Sequence, residues 1–336
     1  MKNRDFNLKA ILSMLIFRKM PLEKWRMLFI VGIFLWVGVV GLSSLHAATL
    51  CVNPGGTNGC YSLPSLAVAV AAGNAETDVI LIYPGTYAES AAITINEAGL
   101  KILGDSPVNT IVQNSVLASV FTLSGTADNV EIANLIITGG WHGIALQGGS
   151  HGAIIHHNII RNNGKSGIYG AVVTSNDRSF FAFNNVVHTN NEFGFDANDN
   201  DIIYNNIVFN NSKCGIDNGT ASYNSSYDNI NLGSPLTSNF CGIIGNISNI
   251  SQNCLFVDET ANDYRLQPVS PCKNTGNPGY LDADGTRSDM GSFGGPGAAL
   301  FWPYGDGGPV VTNLTVDPPY VPEGGNISIK ATVEIR

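Results

Sequence analysis

Between residues 130 and 231, short apolar runs alternate with polar turns in a phrase that keeps returning. A Gly precedes a bulky apolar residue at Gly143-Ile144, Gly167-Ile168, Gly194-Phe195 and Gly215-Ile216, in steps of 24, 27 and 21 residues. An Asn precedes apolar residues at Asn134-Leu135, Asn158-Ile159, Asn185-Val186 and Asn206-Ile207, again in steps of 24, 27 and 21. Two markers that hold one offset through unequal steps describe a single repeating unit whose insertions fall in one loop. Short β-type runs at such a period predict a solenoid. They are too short and too rich in Asn and Gly for leucine-rich repeats, and no helical periodicity links them.

The pattern extends in both directions. Residues 79–87 form an apolar strand stopped by Pro84-Gly85, and 93–95, 100–103 and 120–123 read as further strands ended by polar turns. Runs that are apolar on both faces fit parallel strands around a packed interior. Ahead of them, 65–72 is a small-residue helix with Pro64 at its start and Gly73 as its stop. From residue 306 a Gly/Pro linker leads to two alternating strands, 311–316 and 327–335. These look like the opening of an immunoglobulin-like β module, which normally needs about 100 residues.

The repeated phrases resemble the right-handed parallel β-helix coils of the pectate-lyase-like superfamily, each of which gives three short strands. The resemblance implies that the helix plugs the N-terminal end of the solenoid. It also implies that Asn134, Asn158, Asn185 and Asn206 form an internal ladder. A buried amide is tolerated only when its donors and acceptors are paired, and stacking identical residues pairs them. Leu255-Phe256-Val257-Asp258, Asp263-Tyr264-Arg265-Leu266, Ser270-Pro271-Cys272 and residues 282–296 resemble the closing segment of secreted bacterial β-helix proteins. The expected architecture is all-β: a signal peptide over 1–48, a right-handed parallel β-helix over 49–305, and a linker with an incomplete β-sandwich-like module over 306–336.

Charge and cysteines sharpen this picture. Residues 1–26 hold seven of the 17 Lys and Arg and precede a 16-residue apolar run, 27–42, with small residues after it. That is the pattern of a secretory signal, and the run is short for a membrane span. Contact with a membrane is expected only through this segment, if it is uncleaved. Without 1–48 the chain keeps 10 basic and 24 acidic residues, a net −14 against −9 for the whole. Such a surface repels nucleic acid, and polyanions unless a cation bridges them. All six cysteines lie beyond residue 48, as in a chain folded in an oxidising compartment. A secreted or cell-surface monomer is expected. Cys51 and Cys60 bracket a Gly-rich loop and are expected to pair. Cys214 and Cys241 occupy the same phrase 27 residues apart, which leaves Cys254 for Cys272. Adjacent coils about 4.8 Å apart suit such a link.

Alternation along the Gly–apolar strands projects an outward column of Ala145, Tyr169, Asp196 and Asp217, followed by Gln147, Ala171, Asn198 and Gly219. Trp141, His142, Lys165, Glu192, Phe193 and Lys213 lie in the turn just before. Two carboxylates that close repel each other, so one takes a proton or a cation sits between them. The first outcome makes Asp196 and Asp217 a catalytic pair at a glycosidic bond. The second makes them calcium ligands, with Lys165 or Lys213 as a base. Trp141, Lys165, Tyr169, Glu192, Phe193 and Asn198 are the expected sugar contacts, since the resemblance implies a polysaccharide groove on this strand face. The family's lyase, epimerase and polygalacturonase signatures are not matched. Polysaccharide binding is the expected function, with a lyase or hydrolase, or a structural stalk or adhesin, as alternatives. Weaker candidates are the acidic turn of Asp196, Asn198, Asp199 and Asp201 for calcium, the calcium-like run of Asp282, Asp284 and Asp289, and His151, His156 and His157, which lack zinc spacing.

Overall fold

The computed structural model describes residues 48–71, 77–170, 178–230, 239–300, 309–317 and 328–335. The expected signal segment, Ala48 excepted, lies outside the described residues, as does most of the expected linker. Each coil gives one strand to each of three parallel sheets, of nine, seven and seven strands. In one coil these are Ala153–His156, Ile159–Arg161 and Ile168–Tyr169. Inward positions stack like on like. Ile80, Ile102, Ile132 and Ile155 line the first sheet, Val112, Ile137, Ile160 and Val187 the second, and Phe121, Ile144, Ile168 and Phe195 the third, all within one core. A helix, Pro64–Ala71, adds Ala67, Val68 and Ala71 to the first-coil end of that core.

The Gly of each repeat has a steric cause. A Cβ at Gly167 would lie 2.6 Å from Val187 Cγ1 and 2.8 Å from Gly194 O, so only glycine lets one coil settle on the next.

The second sheet is apolar outward as well as inward, because it has a second core. Ile136, Ile159, Val186 and Ile207 are covered by Phe256, Tyr264, Met290, Phe293 and Ala298 of the closing segment. That segment is also held by polar contacts: His188 Nε2 meets the Tyr264 hydroxyl at 2.8 Å, and Asn184 Nδ2 donates to Asp289 O and Gly291 O at 3.0 and 3.1 Å.

The ladder exists with one correction. Asn158 donates through its backbone N–H and Nδ2 to Asn185 Oδ1 at 3.0 and 3.2 Å. Asn185 does the same to Asn206, Asn206 to Asn224 and Asn224 to Asn249. Asn134 is not a member. Leu135 fills its register and donates its N–H to Asn158 Oδ1 at 3.1 Å. Asn134 sits one place earlier at φ 63°, in a left-handed row with His157, Asn184 and Asn205. Ile136 pairs with Ile159, 23 residues on, whereas Ile144 pairs with Ile168, 24 on; the extra residue in the Lys165 turn made the two markers look alike. A second ladder runs at the other end of the second-sheet strands, through Asn163, Asn190, Asn211, Asn229 and Asn239.

All three disulfides are those expected: Cys51–Cys60, Cys214–Cys241 and Cys254–Cys272, with Cα separations of 4.7, 6.3 and 5.2 Å. The two C-terminal strands, Pro309–Asp317 and Ser328–Ile335, pair as an antiparallel hairpin.

Candidate functional site

The third sheet carries the outward column in the predicted register: Ala145 pairs with Tyr169, Tyr169 with Asp196, Asp196 with Asp217, and Asp217 with Cys241. Parallel pairing without bulges is what brings the two carboxylates onto neighbouring strands. Tyr169, Asp196 and Asp217 are half-buried, while Ala145 is fully covered.

The turn before the sheet forms a second row. Lys165 N–H donates to Trp141 O, Glu192 N–H to Lys165 O and Lys213 N–H to Glu192 O, at 2.6, 3.2 and 2.9 Å. Trp141, 39% exposed, takes Lys165 Nζ 5.1 Å from its ring centroid. Lys213 Nζ lies 4.9 Å from the Phe193 ring and 3.1 Å from Glu192 Oε1. His142 was passed over as a contact in the sequence; its ring lies on Tyr169, centroids 4.9 Å apart.

Burial pushes Asp196 up to about 6, helped by the negative charges of Asp217 and Glu192. Burial also raises Asp217, while Lys213 opposes the rise. A carboxyl whose folded value is raised favours the folded state below its unfolded value of 3.8, and that contribution is lost as pH rises through about 6. Asp217→Asn should therefore move the Asp196 titration downward, as read by carboxyl carbon NMR. An unmoved titration would leave burial and the Glu192 charge as the causes.

A calcium ion takes six to eight oxygens. Asp196 and Asp217 bring two carboxylates, Lys213 lies near Asp217, and Glu192 is already engaged by Lys213. These residues supply too few oxygens for a calcium ion. Cys214, Asp217 and Cys241 also lie together, but the two sulfurs are bonded to each other.

Asp201, Asn198, Asp282 and Asp284 are engaged within the scaffold. Asp201 is buried and accepts the N–H groups of Ser179, Phe180 and Asn198 at 2.7, 3.0 and 2.8 Å. Asn198 Nδ2 donates to Ser179 Oγ at 2.8 Å, so this amide ties the turn together. Asp282 accepts from the N–H groups of Asp289 and Gly295, and burial with Asp289 alongside pushes it up to about 7. Asp284 is exposed and accepts from Thr286.

His156 and His157 belong to a chain on the first sheet. His157 Nε2 faces Gly294 O at 2.9 Å, His157 Nδ1 faces His156 Nδ1 at 2.7 Å, and His156 Nε2 faces Glu131 Oε1 at 3.0 Å. A carbonyl only accepts, so His157 carries its hydrogen on Nε2 and accepts on Nδ1. His156 then donates from Nδ1 to His157 and faces the Glu131 carboxylate with Nε2. Its hydrogen bond holds Glu131 down to about 2, whereas burial pushes His157 down to about 3.

A family model described as right-handed beta helix region matches residues 82–232. Among solved structures, pectate lyase Pel9A is 16% identical over 74% of this chain and 98% of that one, with a TM-score of 0.38. Pectin methylesterase PemA from Erwinia chrysanthemi is 14% identical over 53% of this chain and 55% of that one, TM-score 0.31. ORF18 of Geobacillus virus E2 is 14% identical over 51% and 33%, TM-score 0.25. A likeness of this size says nothing of substrate or activity. No curated protein matches the sequence.

Proposed function

Since the chain is a right-handed parallel β-helix protein, whose coils set side chains in columns, we propose that it is an extracellular polysaccharide-binding protein that works through its third-sheet face. The observation that supports this best is the pairing of Tyr169, Asp196 and Asp217 on adjacent strands beside the row Trp141, Lys165, Glu192 and Lys213. Carboxylates accept charge-assisted hydrogen bonds from sugar hydroxyls, and an exposed indole or phenol ring packs on a sugar face. The second sheet is closed off by its own outer core, so it offers no such face. Three disulfides support the extracellular assignment.

A second reading is cleavage. Asp196, pushed up to about 6 beside Asp217, has the form of a general acid next to a carboxylate partner. One screen addresses both readings: the full chain on a panel of neutral and anionic polysaccharides, with binding and reducing-end release recorded together. Binding without release supports the first reading and release supports the second. Neither signal on any polymer would leave the structural-stalk alternative in its place.

A further inference from the structure

We propose that His142 and Ser166 form a hydroxyl-reading subsite of the third-sheet face, and that the polymer taken there is a neutral glycan. This rests on the polysaccharide reading of the same face and adds its selectivity.

Both residues occupy one turn position on successive coils. Val120 N–H donates to His142 O at 3.0 Å, and Gly143 N–H donates to Ser166 O at 3.2 Å. His142 is 9% exposed and Ser166 is fully buried. His142 Nδ1 and Ser166 Oγ are each buried without a hydrogen-bond partner. Buried polar atoms are nearly always paired, so two such atoms one coil apart call for an occupant that satisfies both. A hydroxyl has the chemistry for both roles: it donates to an imidazole nitrogen and accepts from a serine hydroxyl. The ring of His142 leans on Tyr169, and Ala145, the partner of Tyr169 in the coil of His142, is fully covered. A sugar seated against Trp141 and the edge of Tyr169 meets the His142 ring first.

The charge arrangement selects a neutral polymer. Lys165 lies over Trp141, and Lys213 is shared between Phe193 and Glu192, so both cations already have partners. Asp196, Asp217 and Glu192 outnumber them three to two, on a chain of net charge −9. An acidic sugar gains no net attraction there. Burial and nearby Lys165 hold His142 down to about 4, so near neutrality the imidazole meets the hydroxyl uncharged.

The test is calorimetric titration of the full chain, in chelator, with cellohexaose, xylohexaose, mannohexaose and hexagalacturonate. At least one neutral hexaose is expected to bind, and hexagalacturonate is not. His142→Phe keeps a ring on Tyr169 without its nitrogens and should weaken binding about tenfold. His142→Gln, which restores a hydrogen-bonding side chain, should recover part of the loss, and Ser166→Ala should weaken binding several-fold. Thermal melts of the variants confirm that they fold. Neutral binding that survives both His142→Phe and Ser166→Ala but falls with Asp196→Asn and Asp217→Asn overturns this subsite and leaves the strand-face reading standing. Tighter binding of hexagalacturonate overturns the neutral class. Absence of binding to every hexaose overturns both readings.

Discussion

Replacing Asn185 by leucine is expected to lower the unfolding free energy by about 1–3 kcal/mol. Asn185 Oδ1 takes the N–H and Nδ2 of Asn158, while its own Nδ2 donates to Ile155 O, Phe183 O and Asn206 Oδ1. Leucine has a similar volume and fills the space, yet it leaves the Asn158 N–H without its acceptor and Ile155 O and Phe183 O without the donor they share. In a solenoid most contacts are between neighbours, so the damage centres on the coils of Asn158 and Asn206. Asn134 offers the contrast. It stands in the same Asn–apolar phrase, but its Oδ1 has no hydrogen-bond partner and its φ is 63°. Asn134→Gly keeps that backbone available and should change stability by about 0.5 kcal/mol or less. Urea unfolding of both variants checks the pair. Equal losses would mean that the ladder does not end at Asn158.

The coil architecture was legible because its causes are local. The Gly–apolar phrase is set by the approach of the next coil, as at Gly167, and the outward column follows from alternation alone. Asn134 was misread because a one-residue insertion between Asn163 and Gly167 shifted one marker relative to the other. The second ladder was legible and went unread. The doublets Asn162-Asn163, Asn184-Asn185, Asn205-Asn206 and Asn210-Asn211 each place a left-handed residue just before a ladder amide, and they fall at both ends of the second-sheet strands. Asn224 escaped because Ser225-Ser226 follows it where earlier coils have apolar residues. The outer core was hidden for another reason. His157 meets Gly294 across 137 residues, and no local pattern announces which apolar strand face a distant segment will cover. At the site, the carboxylate pair was predictable from register. The part of His142 was not, since it depends on a buried nitrogen that lacks a partner.

Removing the Cys214–Cys241 link, as Cys214→Ser with Cys241→Ser, should lower stability by about 3–4 kcal/mol, the loop-entropy value for a closure of this size. The two residues are 27 apart in sequence and tie successive third-sheet coils together. Cys241 is the register partner of Asp217, so the loss should be felt at the site as well as in the melt. Amide exchange is expected to rise first in strands Ile216–Asp217 and Phe240–Cys241, with the coils around Ile144 and Ile168 protected as before. Removing Cys51–Cys60 instead should loosen the helix Pro64–Ala71 and leave the site coils unchanged. Uniform exchange in both variants would show that the coils unfold as one unit and that neither link acts locally.

The polysaccharide site is proposed on the third-sheet face and on no other. It is tested most directly by the affinity of one bound oligosaccharide for two double variants. Asp196→Asn with Asp217→Asn removes the charge from the third-sheet column, whereas Lys101→Ala with Arg178→Ala removes two cations from the first-sheet side, near Glu131 and Phe181. The first pair should weaken binding at least about tenfold, since charge-assisted hydrogen bonds to sugar hydroxyls are lost, and the second should leave it unchanged. Affinity that falls only with the first-sheet pair, or with neither, would contradict the assignment of the site to Asp196 and Asp217.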